Sequence, residues 1–317
     1  MHKRVRHTVL KIARVLEDEG LKVEIHGSED FVIGHLRDLE HSDKGALTFY
    51  IGENTSKLDH LEDCVLICRP GVVPKSQTVS RIITDDPKLA FYILAQDFAP
   101  PSREPGIHHT AIIDPKAVVH PTATIGPFCV LEECTVGEKA ILHSHVTLYA
   151  STRIGARAVI EGHTFIGATG QIWAWGFDGK RWVLPQIGGT VISDDCFIGS
   201  NVSIVRGALQ DTVIDRGCRI AHGSRIGHNC QIGNETFVSN GVTIPGSVTI
   251  GNFCFLGSGS VYRPGIELGD NITVGAGAVV TKSFVEKGSV IAGVPARLIK
   301  KAEDVKSLAG VPKQTPF

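Results

Sequence analysis

From position 107 onward an aliphatic residue returns every six positions, as Ile107, Ile113, Val119, Ile125 and Leu131. One five-residue step leads to Val136, Leu142, Leu148, Ile154, Ile160 and Ile166. After an interruption the series resumes at Ile192, Ile198 and Ile204. A ten-residue step then leads to Ile214 and on by sixes to Val280, with Tyr262 in one slot. Glycine often follows the aliphatic residue (Gly126, Gly227, Gly251), and a small or β-branched residue stands four after it (Cys129, Val202, Cys230, Thr236). An amphipathic helix would repeat at about 3.6 and an ordinary strand at 2, so a period of six belongs to neither. It predicts three short strands per coil, with residues 18 apart stacked and each coil burying its aliphatic row against the next. The glycines are expected where the backbone turns and a side chain would be costly. The pattern predicts a parallel β-helix over residues 107–285.

Residues 1–100 lack the hexad. Val9, Leu10, Ile12, Ala13 and Leu16 fall on one helical face. Ala46–Ile51 and Cys64–Cys68 read as strands, and Lys88–Gln96 as a helix, giving a small α/β domain. The proline-rich Pro100–Pro105 makes 101–106 a linker, and 286–317 reads as a short C-terminal tail. The interruption, residues 169–186, holds all three tryptophans of the chain, Trp173, Trp175 and Trp182. A solenoid extrudes such an insertion as a loop, commonly on its binding side. A hairpin turning at Asp178-Gly179 is expected, walling a site or else covering a strand edge or a neighbouring subunit.

Composition narrows the function classes. Thirty-two basic and 33 acidic residues leave a net charge of −1, without the basic excess of a general nucleic-acid binder. No apolar run is long enough for a membrane span, and no apolar stretch follows the basic Met1–Arg6 as a secretory signal would require, so a cytoplasmic location is expected. Eight cysteines include no CxxC pair. Five of them (129, 196, 218, 230, 254) occupy the small inward hexad slot and are expected to be packing residues.

Two histidines carry the candidate chemistry. His222 and His228 are six apart, so they hold the same outward slot on neighbouring faces of one coil. Gly246, 18 after His228, sits one coil on. An outward imidazole beside an exposed glycine backbone can serve as a base next to an oxyanion donor, and Asn229 can hydrogen-bond locally. A plain surface histidine is the competing reading.

At these residues the chain resembles the bacterial UDP-3-O-acylglucosamine N-acyltransferase family of the lipid A pathway. Gly45-Ala-Leu-Thr-Phe49, Asp86–Tyr92, Pro185-Gln-Ile-Gly188, Arg206–Ile214 and Ile226-Gly-His-Asn229 carry the likeness. It implies a left-handed parallel β-helix, a homotrimer with sites between subunits, His228 as catalytic base and Gly246 as oxyanion donor. It also implies that Phe49 and Tyr50 contact the nucleotide base, with Gln186, His222 and Asn229 binding substrate. Some positions depart from the family. Ala221 stands where the family has an Asp, Gly265 where it has a second His, and Val205 where it has the Asp of Asp-Arg-Gly-Ala-Leu. The aromatic loop is rewritten as Gln171–Phe177. Val290–Lys300 resembles instead the terminus of coenzyme-A-dependent sugar acetyltransferases, with Lys282 and Arg297 as candidates for donor phosphates. The leading expectation is therefore transfer of an acyl group, acetyl from acetyl-CoA, to the amine of a nucleotide-linked amino sugar for cell-surface polysaccharide or lipid A. The second is the lipid A N-acyltransferase reaction itself, drawing on acyl carrier protein. A non-catalytic scaffold is the third. A zinc site like that of gamma carbonic anhydrases is disfavoured, because the histidine spacing is six rather than five and no third ligand is evident; no metal is expected.

Overall fold

The computed structural model describes residues 7–99 and 104–300. The basic Met1–Arg6, the start of the linker and the tail lysines Lys301 and Lys306 lie outside the described residues. The chain divides into two compact units, residues 1–102 and 103–317.

In the first unit, β1 (His7–Thr8) leads into α1 (Val9–Asp18), capped by the Thr8 hydroxyl, which accepts from the Lys11 N–H. Val9, Ile12, Ala13 and Leu16 are its buried face. β2 (Glu24–His26), β3 (Val32–Ile33), β4 (His35–Leu36), β5 (Ala46–Phe49), β6 (Val65–Cys68) and β7 (Ser80–Ile83) follow. The sheet order is β2-β7-β6-β5-β4, with β4 to β7 mutually parallel and β2 antiparallel at one edge. α2 (Pro87–Ala95) starts at Asp86, whose carboxylate accepts from the Leu89 N–H, with Pro87 in the first turn where its missing N–H costs nothing. Alternation along β5 sends Leu47 and Phe49 toward the helices, and Ala46 and Tyr50 into a second core with Leu58, Leu61 and Leu66.

The second unit is the left-handed parallel β-helix. Its strands of two to five residues form three long faces, starting at Gly106–Ile107, Ile112–Ile113 and Val118–Val119. Each departure from the hexad appears as a register step. The five-residue step gives 17-residue pairings such as Val118↔Thr135, and the regular coils give 18, as in Val213↔Gln231. The insertion makes the step 38 at Val159↔Phe197, and four extra residues near 206–211 make it 22 at Ser203↔Arg225. The aliphatic row and the small hexad slot form one continuous core containing Cys129, Cys196, Cys218, Cys230 and Cys254. All eight cysteines are buried. Burial pushes the Cys230 and Cys254 thiols up to about 11.

The role of the glycines differs from the expectation. The left-handed turn residue is the one three after the aliphatic: Asn229, Glu235, Ser247 and Phe253 all have positive φ. The glycine directly after the aliphatic is needed for close approach instead. A Cβ on Gly227 would lie 2.5 Å from the Gly246 nitrogen in the next coil. Two other features fall outside the simple hexad reading. Residues 290–300 are not a plain tail but an antiparallel pair, Val290–Gly293 with Ala296–Lys300, that closes one end of the first face. The insertion forms a two-stranded ribbon, Trp173–Trp175 with Arg181–Val183, around a Phe177–Gly179 turn closed by the Gly176 N–H donating to the Lys180 carbonyl at 2.7 Å. Among the described residues no helix is long and apolar enough to cross a membrane.

Candidate active site

His228 stands at the corner where the second face, at Ile226, passes to the third, at Ile232. Its half-buried ring places Nδ1 3.0 Å from Asn229 Oδ1. The Asn229 amide cannot be turned over. Its oxygen accepts the Ala208 N–H at 3.1 Å, its nitrogen donates to the Gln210 carbonyl at 3.4 Å, and its backbone N–H donates to Thr212 Oγ1 at 2.8 Å. An amide oxygen facing Nδ1 requires a proton there. The tautomer of the neutral ring is thereby fixed, and Nε2 carries the lone pair of a base. The four extra residues at 206–211 make this possible, since they bring the Ala208 and Gln210 backbone against Asn229.

Gly246 occupies the same corner one coil on. The His228 ring lies over it so closely that a Cβ there would collide with Cε1 and Nε2. At the third-to-first corner the equivalent N–H is capped from the next coil. Asn234 N–H donates to Asn252 Oδ1 at 2.9 Å, and Asn252 N–H to Asp270 Oδ1 at 2.8 Å. The residue one coil beyond Gly246 is Pro264, which has no side-chain acceptor. The Gly246 N–H donates to no acceptor among the described residues and is free to meet an anionic oxygen.

A groove of about 550 Å³ runs along the third face past this corner, lined by Gln210, Asp211, Asn229, Gln231, Ser247 and Thr249. Asp211 pairs with Arg153 and accepts the Gly189 N–H at 2.6 Å. Burial alone would raise its carboxyl, but these two partners outweigh burial and hold it below the usual range. A larger groove of about 710 Å³ lies at the third-to-first corner beside Arg216, Asn234, Asn252 and Asp270. It contains none of the candidate residues.

The remaining sequence candidates are dispersed. His222 stands one corner earlier, where its Nδ1 accepts both the Ser200 N–H and the Ser200 hydroxyl at 2.8 Å. No hydrogen bond joins it to His228, whose ring partner is Asn229. Gln186 is only 8% exposed and is turned inward, where Oε1 accepts the Gly170 N–H at 2.7 Å and ties the root of the ribbon. Lys282 shares the His228 corner three coils on, roughly 14 Å away at ~4.8 Å per coil, with its ammonium 5.4 Å from the Phe284 ring centre. Arg297 lies on the closing strand of the first face. In the first unit Phe49 packs on Phe91 at 4.8 Å and Tyr92 at 6.4 Å. Tyr50 is 7% exposed and spends its hydroxyl on the Asn54 carbonyl at 2.7 Å. The exposed aromatic neighbour of Phe49 is Tyr92, with Lys88 5.5 Å from its ring centre. Sequence reasoning singled out neither; their i, i+4 spacing on α2 was the available signal. Among the described residues no group of three or more His, Cys, Asp or Glu is placed to hold a metal.

Comparisons with known proteins bear on the fold and the family. A family model described as "Bacterial transferase hexapeptide (six repeats)" matches residues 211–246, and "Hexapeptide repeat of succinyl-transferase" matches 247–282. The UDP-3-O-acylglucosamine N-acyltransferase of Herminiimonas arsenicoxydans is 34% identical over 259 residues, covering 74% of this chain and 73% of that protein. The protein of the same name from Pseudomonas savastanoi pv. phaseolicola is 31% identical over 299 residues, covering 87% and 84%. That of Coxiella burnetii is 30% identical over 235 residues, covering 68% and 69%. Among solved structures, LpxA from Acinetobacter baumannii superposes with a TM-score of 0.56 at 27% identity, covering 61% of this chain and 73% of that one. The Francisella novicida UDP-N-acetylglucosamine acyltransferase gives 0.57 at 25%, covering 63% and 71%. The chain is an acyltransferase, and it belongs to the UDP-3-O-acylglucosamine N-acyltransferase family.

Proposed function

We propose that this protein moves an acyl group from a thioester to the amine of a UDP-linked 3-O-acylglucosamine, in the cytoplasm, for lipid A. The names of its relatives favour this second sequence expectation over the leading one, acetyl transfer from acetyl-CoA to another amino sugar. The observation that carries the reading is the Asn229-oriented His228 ring lying over the bare Gly246 backbone. The amine nitrogen attacks the thioester carbonyl and the C–N bond forms. Nε2 of His228 takes the proton that nitrogen sheds, and the Gly246 N–H donates to the carbonyl oxygen as it becomes negative. Asn229 Oδ1 accepts from Nδ1–H and so stabilises the imidazolium. When the C–S bond breaks, the imidazolium returns its proton to the departing thiolate, leaving an amide and a free thiol.

The donor is assigned to acyl carrier protein, with Lys282 and Arg297 as contacts for its phosphopantetheine phosphate; acyl-CoA is the alternative carrier of the same thioester. Phe49 is the stacking face for the nucleotide base, and the functional unit is a homotrimer. Offering the purified protein both donors with a UDP-3-O-acylglucosamine, and reading product masses, tests the donor and the acceptor together. His228→Ala is expected to lower turnover about 10²–10⁴-fold, and near-normal turnover would remove the general base from the scheme. A non-catalytic scaffold predicts no turnover with either donor.

A further inference from the structure

The ribbon that interrupts the β-helix is unlike the rest of the surface. Trp173, Trp175, Phe177, Trp182 and Val183 are all at least half exposed, and Phe177 at the tip is exposed at 115% of its reference area. Cross-strand partners share a face, so Trp173 with Val183 and Trp175 with Arg181 form one side, and Ala174 with Trp182 the other. Each side carries a cation on its aromatic rings. The Arg181 guanidinium lies 5.9 and 5.7 Å from the Trp173 and Trp175 ring centres, and the Lys180 ammonium lies 4.0 Å from that of Trp182. With Asp178 as its one acid, the 169–186 segment carries two positive charges against one negative.

An isolated two-stranded ribbon is marginal in water, and exposed aromatic clusters of this kind mark a surface that becomes covered. The ribbon presents aromatic rings on both sides, each with a cation beside them, and a further ring at its apex. A small ligand would need a concavity. A lipid–water interface surrounds both sides and the tip together. Tryptophan rings settle at headgroup depth, and Lys and Arg reach out from there to lipid phosphates. We propose that the Trp173–Val183 ribbon is a peripheral anchor that inserts into the headgroup region of an anionic phospholipid bilayer. This goes beyond the acyl-transfer reading and does not depend on it.

The chain supplies its own reporter, because all three tryptophans lie on the ribbon. The full-length protein is titrated with vesicles of phosphatidylglycerol and phosphatidylethanolamine, and separately with vesicles of phosphatidylcholine. Tryptophan emission and co-sedimentation are followed in both. The expected result is a shift of emission to shorter wavelength and co-sedimentation on the anionic vesicles, reversed by salt. One basic residue at an anionic surface is worth roughly fivefold in partitioning, so Lys180 and Arg181, offset by Asp178, predict a preference of roughly fivefold over phosphatidylcholine. Phe177→Asp keeps all three reporters and should weaken binding at least about tenfold, since a charge replaces the inserted apex. The paired Lys180→Glu, Arg181→Glu variant should abolish the anionic preference, and serves alone if Phe177→Asp does not fold. Three results overturn the proposal: no emission change with anionic vesicles, equal binding to phosphatidylcholine, or emission already at short wavelength without lipid and unmoved by it. The last would mean that a second copy of the chain covers the ribbon.

Discussion

Gly246→Ala isolates the site from the fold. Gly246 is not in the left-handed region, so alanine brings no backbone strain. The three atoms nearest its new methyl all belong to the His228 ring, with Cδ2 2.9 Å away and Cε1 and Nε2 closer still. Non-bonded carbons settle at about 3.5–4.0 Å, so the ring must retreat by roughly 1 Å. It is held by Asn229 at 3.0 Å, and the retreat breaks that bond or swings Nε2 away from the reacting amine. A displacement of about 1 Å costs on the order of 10²-fold in turnover, or about 2.7 kcal/mol of transition-state stabilisation. Stability should change by no more than about 1 kcal/mol, since the new atom meets an outward side chain rather than the packed coil. The assay is initial-rate acyl transfer to the UDP-amino sugar, with thermal unfolding as control. Adding Gly246→Ala to His228→Ala should cost almost nothing further, because both changes disable one base. Turnover of Gly246→Ala within threefold of the parent would refute the placement of the ring over this glycine.

Other perturbations have equally definite outcomes. Asn229→Leu removes the acceptor that fixes the tautomer, so the rate should fall about 10–100-fold, and the unpartnered Ala208 N–H together with a leucine at positive φ should cost about 2–5 kcal/mol of stability in denaturant unfolding. The Cys230 and Cys254 thiols, at about 11 when folded against 9.0 ordinarily, contribute stability that is whole below pH 9 and is lost as the pH rises through about 11. Melting temperature should fall across that window, and less steeply when both are replaced by alanine. Asp211 has the opposite sign: its lowered carboxyl contributes stability above the unfolded value, about 3.9, that is lost as pH falls below it. Asp211→Asn should flatten the acid limb of the unfolding midpoint.

Most of the β-helix could be read from Ile107 to Val280, because a solenoid interior repeats one environment and every coil restates it. Even the exceptions were visible, since the five-residue step after Leu131 is the 17-residue register and the ten-residue step after Ile204 is the 22-residue one. The adjacency of His228 and Gly246 followed from the same arithmetic. The orientation of the ring did not, because Asn229 is locked by Ala208 and Gln210, backbone groups on a bulge that no period describes. Sequence likewise could not show which exposed-looking side chain turns inward. Gln186 and Tyr50 sit in segments resembling binding motifs, yet strand alternation and the ribbon root bury both. The 290–300 pair escaped for a related reason: once the hexad ends, nothing local distinguishes a loose tail from a strand folding back.

That closing pair has a consequence of its own. A stack of parallel coils presents, at its last turn, a row of unsatisfied backbone groups shaped to receive one more coil, and nothing in the repeat says where to stop. The strand Ala296–Lys300 runs against the grain of the stack and ends in Lys300. It covers the last parallel strand of the first face, an edge that would otherwise invite end-on addition of another molecule. The repeat itself ends at Val280, and the pair beyond it covers the edge of one face; chains cut back before residue 290 should expose that edge and associate end to end more readily, read as a concentration-dependent rise in sedimentation coefficient.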